Sequence, residues 1–162
     1  MKLSQVTCVV MSGLIWFLIG LFLLTKGLNW IVYTTHFATS SILLDFFGSF
    51  VNDKEQAALV LITVALFIGF LKTRIVLHKT VKRVVQRIFS LEAPIPLSKV
   101  YKPSYYGLIL GMMFLGMGLR FLQVPGDFMG LIDVAVGSAL LNGAVLYFRY
   151  AFLLRKQKSL EN

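Results

Sequence analysis

Ala57-Ala-Leu-Val-Leu-Ile-Thr-Val-Ala-Leu-Phe-Ile-Gly-Phe-Leu71 carries no charge, and it passes without a break into Lys72-Thr-Arg-Ile-Val-Leu-His-Lys-Thr-Val-Lys-Arg-Val-Val-Gln-Arg87. An apolar run that feeds a cluster of Lys and Arg is the pattern of a helix leaving a bilayer on its cytoplasmic side. Past Leu71 the periodicity changes. Leu77, Val81, Val84, Val85 and Ile88 fall on one side of a helix, and Lys79, Lys82, Arg83, Gln86 and Arg87 on the other. That predicts a basic amphipathic helix directly after a membrane span.

The rest of the chain agrees with a membrane class. Of 162 residues 57% are hydrophobic and only 14% charged, against about 25% charged in ordinary soluble domains. Mean hydropathy is +0.80. The formal charge of +9 would suit a nucleic-acid partner only as a patch on a soluble fold. Here the cations lie between apolar spans, so orientation and anionic lipid explain them and no nucleic acid is expected. Cys8, the single cysteine, has no partner for a disulfide or a metal site and reads as a small apolar helix residue. No cleavable leader or lipoprotein site is read at the first apolar run.

In chain order the expectation is four transmembrane helices in a bundle. Span one covers about Val6 to Leu24, within the uncharged run between Lys2 and Lys26, and roughly 20 residues cross a bilayer core. The polar-studded region 28–51 is read as interfacial, with a re-entrant loop or a fifth span as alternatives. From Ser41, Leu43, Phe46, Phe47 and Phe50 make an apolar stripe, and Trp30 and Tyr33 suit the aromatic belt. Span two is Ala57 to Leu71. The amphipathic helix ends at Glu92-Ala-Pro-Ile-Pro96, because proline removes a backbone donor and disfavours helix before it. Span three is Ser104 to Leu122. Val124-Pro-Gly-Asp127 makes a tight turn, and span four runs from Phe128 to Tyr147. The segments 1–56, 57–102 and 103–162 form one membrane domain.

Charge orients the spans. One cation at Lys2, eight between Lys72 and Lys102 and four in the tail fall on one side, while Lys26, Lys54 and Arg120 fall on the other. Asp45, Asp53, Glu55, Asp127 and Asp133 share that second side. The positive-inside rule then predicts both termini in the cytoplasm, and the expected location is a bacterial inner membrane. An ungapped shift of 94 residues lays Gly13-Leu-Ile on Gly107-Leu-Ile and Lys26 on Arg120. This suggests an internal repeat of two parallel hairpins.

Few residues suggest chemistry. Asp133 is the one acid inside a span, where a carboxylate costs on the order of 2.5–3.5 kcal/mol at the bilayer centre, so an ion pair with Arg120 is expected. Lys26 and Arg120 together could hold an anionic headgroup on the outer side. Asn142 is expected to make an interhelical hydrogen bond. Gly107-Leu-Ile-Leu-Gly111 and Ala139-Leu-Leu-Asn-Gly143 suit close helix packing. Lys72, Arg74, Lys79, Lys82, Arg83 and Arg87 form a cytoplasmic lipid or partner surface. His36 and His78 lie on opposite sides, and no catalytic, phosphate-binding or metal motif is read. The sequence therefore predicts a non-enzymatic accessory subunit without cofactor or metal, associating with another membrane protein or with itself. The alternative is a small transporter or channel with a polar path past Asp133, Arg120 and Asn142.

Overall fold

The computed structural model describes residues 5–37, 41–51, 53–89, 114, 117–118 and 121–160, and among them all regular structure is helical. Helix α1 is Gln5–Phe37, α2 is Ile42–Gly48, and α3 is Lys54–Lys72. A π-helical turn, Thr73–Leu77, joins α3 to α4, His78–Phe89, and α5 is Gly126–Leu160. Three helical stretches are long and apolar enough to cross a membrane: Gln5–Phe37, Lys54–Ile75 and Gly126–Leu153. The expected span three lies outside the described residues except at 114, 117, 118, 121 and 122, and so does the proline-rich linker.

α1 runs on well past the span the sequence suggested, from Gln5 to Phe37 in place of Val6 to Leu24. Its 33 residues make a rod of about 50 Å. Its threonines at 34 and 35 are satisfied within the helix: Thr34 Oγ1 donates to the Trp30 carbonyl at 2.7 Å and Thr35 Oγ1 to the Ile31 carbonyl at 2.8 Å. Bonding back to the preceding turn lets a polar side chain sit on a helix without an outside partner. α2 is short and splits the predicted stripe. Leu44 is buried and Leu43 and Phe47 pack inward, whereas Phe46 and Phe50 are exposed. It is held by Asp127 at the first turn of α5, whose buried Oδ2 accepts from the Leu43 N–H at 2.7 Å. α3 starts where Asp53 caps it, accepting from the Glu55 N–H, and Glu55 places negative charge on the positive end of the helix.

The partners fix the directions. Gly13 meets Tyr147, Gly20 meets Leu140, Gly27 meets Val134, and Gly126 meets Thr34. α1 and α5 are therefore antiparallel along nearly their whole length. Gly69 meets Ala135 and Ser138, and Leu77 meets Gly143, so α3 runs parallel to α5. The face that α3 turns inward advances in steps of about four residues, Ala57, Leu61, Ala65, Gly69 and Thr73. Four residues of α-helix overshoot a full turn by about 40°. The wider turn at Thr73–Leu77 takes up part of that drift, so that Val81, Val84, Val85 and Ile88 of α4 continue to face α1 and α5.

Two cores result. At one end Ile31 of α1, Leu44 of α2, Ala57, Ala58, Leu61 and Ala65 of α3, and Val134 and Ala135 of α5 pack together. At the other, Cys8 and Val9 of α1 meet Val81, Val84, Val85 and Ile88 of α4 and Tyr147 and Ala151 of α5. The cations of α4 lie along the second core. We call it the basic end.

Candidate functional site

Asp133 does have a cationic partner, and it is Lys26. Lys26 Nζ lies 2.8 Å from Asp133 Oδ2, with the lysine side chain 38% exposed and the aspartate 17%. The contact depends on glycine. A Cβ on the neighbouring Gly27 would stand 2.7 Å from the Val134 nitrogen and 2.9 Å from Asp133 Cβ, so only the bare backbone lets α5 come close enough. Arg120, the partner that sequence suggested, lies outside the described residues, as does the Lys26–Arg120 headgroup site that includes it. Beside the pair, Phe22, Thr25, Lys26, Asn29, Trp30 and Tyr33 line an open groove along α1. Thr25 is satisfied by carbonyls of its own helix, and Trp30 and Tyr33 pack edge to face.

Close packing falls on other glycines than those of the four-residue motifs. Gly13, Gly20 and Gly27 recur every seven residues on α1, and Gly130 and Gly137 face them from α5. A Cβ on Gly137 would meet the Leu24 nitrogen at 2.6 Å and the Gly20 carbonyl at 2.8 Å. Backbone touches backbone here. Gly69 does the same for α3, where a Cβ would collide with the Ala135 carbonyl. The heptad spacing on α1 is visible in the sequence, and it differs from the four-residue spacing of the motifs at 107–111 and 139–143. Gly143, in the four-residue motif, is the loose one, with Leu77 the nearest atom at 3.7 Å from a would-be Cβ.

Interhelical hydrogen bonding also falls on other residues than expected. Asn142 Nδ2 donates to the Ser138 carbonyl of its own helix at 2.9 Å. Between α3 and α5 the bridges are made by buried Thr73, whose Oγ1 lies 2.9 Å from the Gly69 carbonyl and 3.0 Å from that of Ala139, and by Ser138, whose Oγ donates to the Leu66 carbonyl at 3.4 Å. The π turn thus begins at a side chain that pins it to α5.

The basic surface is the second candidate. Lys72, Arg74, Lys79, Lys82 and Arg83 are exposed and Arg87 is half-buried. Arg74 stacks over the Phe70 ring at 5.7 Å, which covers part of its stem. The opposite face of α4 is almost fully enclosed: Val81 and Ile88 are 0% exposed. The cations are therefore displayed from a fixed platform. No family model, no curated protein and no solved structure matches this chain. Among the described residues no group of His, Cys, Asp and Glu is arranged to hold a metal. What the arrangement offers is two electrostatic sites, a paired charge between α1 and α5 and a row of open cations on α4.

Proposed function

We propose that the protein is a non-enzymatic accessory subunit embedded in a membrane. It holds the basic face of α4 at the cytoplasmic surface for an anionic partner, which is a lipid surface or another membrane protein. The observation that carries this reading is the burial of Val81, Val84, Val85 and Ile88 against α1 and α5. A helix that merely trailed from a span would not have its apolar face enclosed by the bundle.

The same reading includes a fourth crossing. α3 and α5 run parallel, so the chain that leaves α3 at one end of the bundle must return to the other before α5 begins. The uncharged residues from Ser104 to Leu119 are the segment suited to that return. Before α5, the chain reverses at Gln123, which has a φ of 51°. A left-handed residue of this kind commonly ends a helix. Both termini then lie with α4 in the cytoplasm, in agreement with the count of cations.

The test is purification of the full chain from native membranes, beside a variant carrying Lys79→Glu, Lys82→Glu and Arg83→Glu. A stoichiometric partner, or a defined complement of anionic lipid, should accompany the unaltered chain and be lost from the variant. A second reading, a small transporter, draws on the Lys26–Asp133 pair and the groove beside it. Isolation of the chain as a homo-oligomer that supports solute flux in liposomes, with flux abolished by Asp133→Asn, would replace the first reading by the second.

A further inference from the structure

The apolar runs of α1 and α3 are staggered along the bundle axis. The uncharged run of α1 contributes Val6, Cys8, Val9, Val10 and Trp16 to the core it shares with α4. The apolar run of α3 instead lies beside Leu24, Leu28 and Ile31, further along α1. Only the run of α1 continues down to the level of α4. At the level of α4 the outward residues of α1 include Met11, Leu14 and Ile15, and those of α5 include Val145, Phe148 and Phe152, all exposed. On the α4 side of that same level, Lys79, Lys82 and Arg83 are exposed. One side needs acyl chains, and the other needs water or anions.

The amphipathic pattern of α4 sharpens the conflict. In lipid, outward positions are apolar and an enclosed valine face has no hydrophobic drive to be enclosed. An apolar face turned in and a basic face turned out is the pattern of a helix with a polar medium on its outer side. The outer surface of α1, a few residues away at the same height, has the pattern of a helix in hydrocarbon.

We propose that anionic phospholipids resolve this, with their phosphates seated on Lys79, Lys82 and Arg83, so that the cytoplasmic leaflet is drawn down along α4 while it keeps its normal height around α1 and α5. The proposal rests on the reading of α4 as cytoplasmic and names phospholipid as what it binds. Positive charge on α4 complements the phosphate. A depressed leaflet lets polar headgroups reach α4 without exposing Leu14 or Phe152 to water. Thinning of a bilayer near charged helix residues is an ordinary response to mismatch. Each cation near an anionic surface contributes roughly fivefold in binding, so the three together supply on the order of a hundredfold preference for anionic over zwitterionic lipid.

The experiment uses the full chain in nanodiscs of phosphatidylcholine with phosphatidylglycerol. Spin labels are placed singly at Lys82→Cys and at Leu14→Cys, in a Cys8→Ala background. Leu14 is exposed on α1 and Lys82 is exposed on α4. Lys82→Cys should be relaxed by a water-soluble nickel chelate, and Leu14→Cys by oxygen alone. Lys79→Gln, Lys82→Gln and Arg83→Gln together should remove the preference for phosphatidylglycerol measured by lipid exchange, with the helical content unchanged. If both labels report water, this level of the bundle stands outside the bilayer and the depressed leaflet is wrong, although the cytoplasmic platform survives. If both report hydrocarbon, α4 is not cytoplasmic, and both readings fall. An unchanged lipid preference in the triple variant overturns the phospholipid assignment alone.

Discussion

The two ends of this bundle are held together by different chemistry. Between Gly20 and Gly27 of α1 and Gly130 and Gly137 of α5, the helices meet backbone to backbone. Around Val9, Val81, Val84, Ile88 and Tyr147 they meet through branched and aromatic side chains that are almost fully enclosed. The first is the packing that membranes favour, since lipid is as apolar as leucine and only close contact distinguishes a helix from it. The second resembles the core of a protein in water, where burial itself stabilises. The close backbone contacts lie along α1 and α5 around Gly20 and Gly27, and the largest enclosed valine cluster lies beneath the basic face of α4. One helix, α1, takes part in both, with glycines at 13, 20 and 27 and valines at 6, 9 and 10.

The largest expected effect breaks the glycine end. Gly137→Leu must place a side chain where the Leu24 nitrogen and the Gly20 carbonyl already stand, and backbone cannot give way as a side-chain tip can. We expect more than the roughly 1–3 kcal/mol typical of overpacking, enough to separate α1 from α5. Loss of proximity crosslinking between cysteines at positions 9 and 151, with each helix still inserted, would register it. Retained crosslinking would mean that the seam is looser than its contacts imply.

The matching experiment at the basic end is Ile88→Ala. Ile88 is 0% exposed, and truncation of a buried isoleucine costs about 2–5 kcal/mol in a core where burial stabilises. We expect about 3 kcal/mol, read as increased protease access to α4 and a lower unfolding midpoint in mild detergent. A loss well below 1 kcal/mol would mean that α4 is held by something other than its valine face, and the contrast between the ends would fail.

These ends were unequally legible beforehand. The periodicity of Leu77, Val81, Val84, Val85 and Ile88 gave the amphipathic helix directly, because alternation of cation and aliphatic residue is visible without a partner. The π turn was not legible, since Thr73 looks like any other helix threonine until the Ala139 carbonyl of α5 is beside it. The full length of α1 is hidden in the sequence by Lys26, which ends the uncharged run although the helix continues to Phe37. Asp133 stands out in the sequence as a costly charge in an apolar run, but agreement in depth points to Arg120 and not to Lys26. Lys26 became its partner through the approach that Gly27 permits, and no motif announces that.

A smaller effect lies between the two ends, at Lys26 and Asp133. Asp133→Asn leaves the lysine without its anion. Breaking a fully buried pair costs about 3–5 kcal/mol, but Lys26 is more than a third exposed, so we expect about 1 kcal/mol, the upper end for screened pairs. Lys26→Met with Asp133→Leu should recover the loss, because an apolar pair needs no partner charge. The measurement is a double-mutant cycle on unfolding free energy. Additive losses would show that the two residues are not coupled, and that glycine packing alone sets the spacing here.

The smallest expected effect locates the boundary between the two kinds of packing. Gly143 lies beyond Gly137 on α5, at the level of Leu77 in the π turn, and a Cβ there would meet only Leu77 Cδ2 at 3.7 Å and Trp16 Cε3 at 3.9 Å. Both are ordinary contacts with the ends of side chains. Alanine is favoured over glycine within a helix by up to about 1 kcal/mol, and some of that gain should be offset where Leu77 adjusts. Gly143→Ala is therefore expected to be neutral or slightly stabilising by detergent unfolding, within about 0.5 kcal/mol. A loss comparable to that of Gly137→Leu would extend the backbone seam another two turns toward the basic end. The valine core would then begin only at Tyr147, and the change in packing would no longer coincide with the first exposed cations.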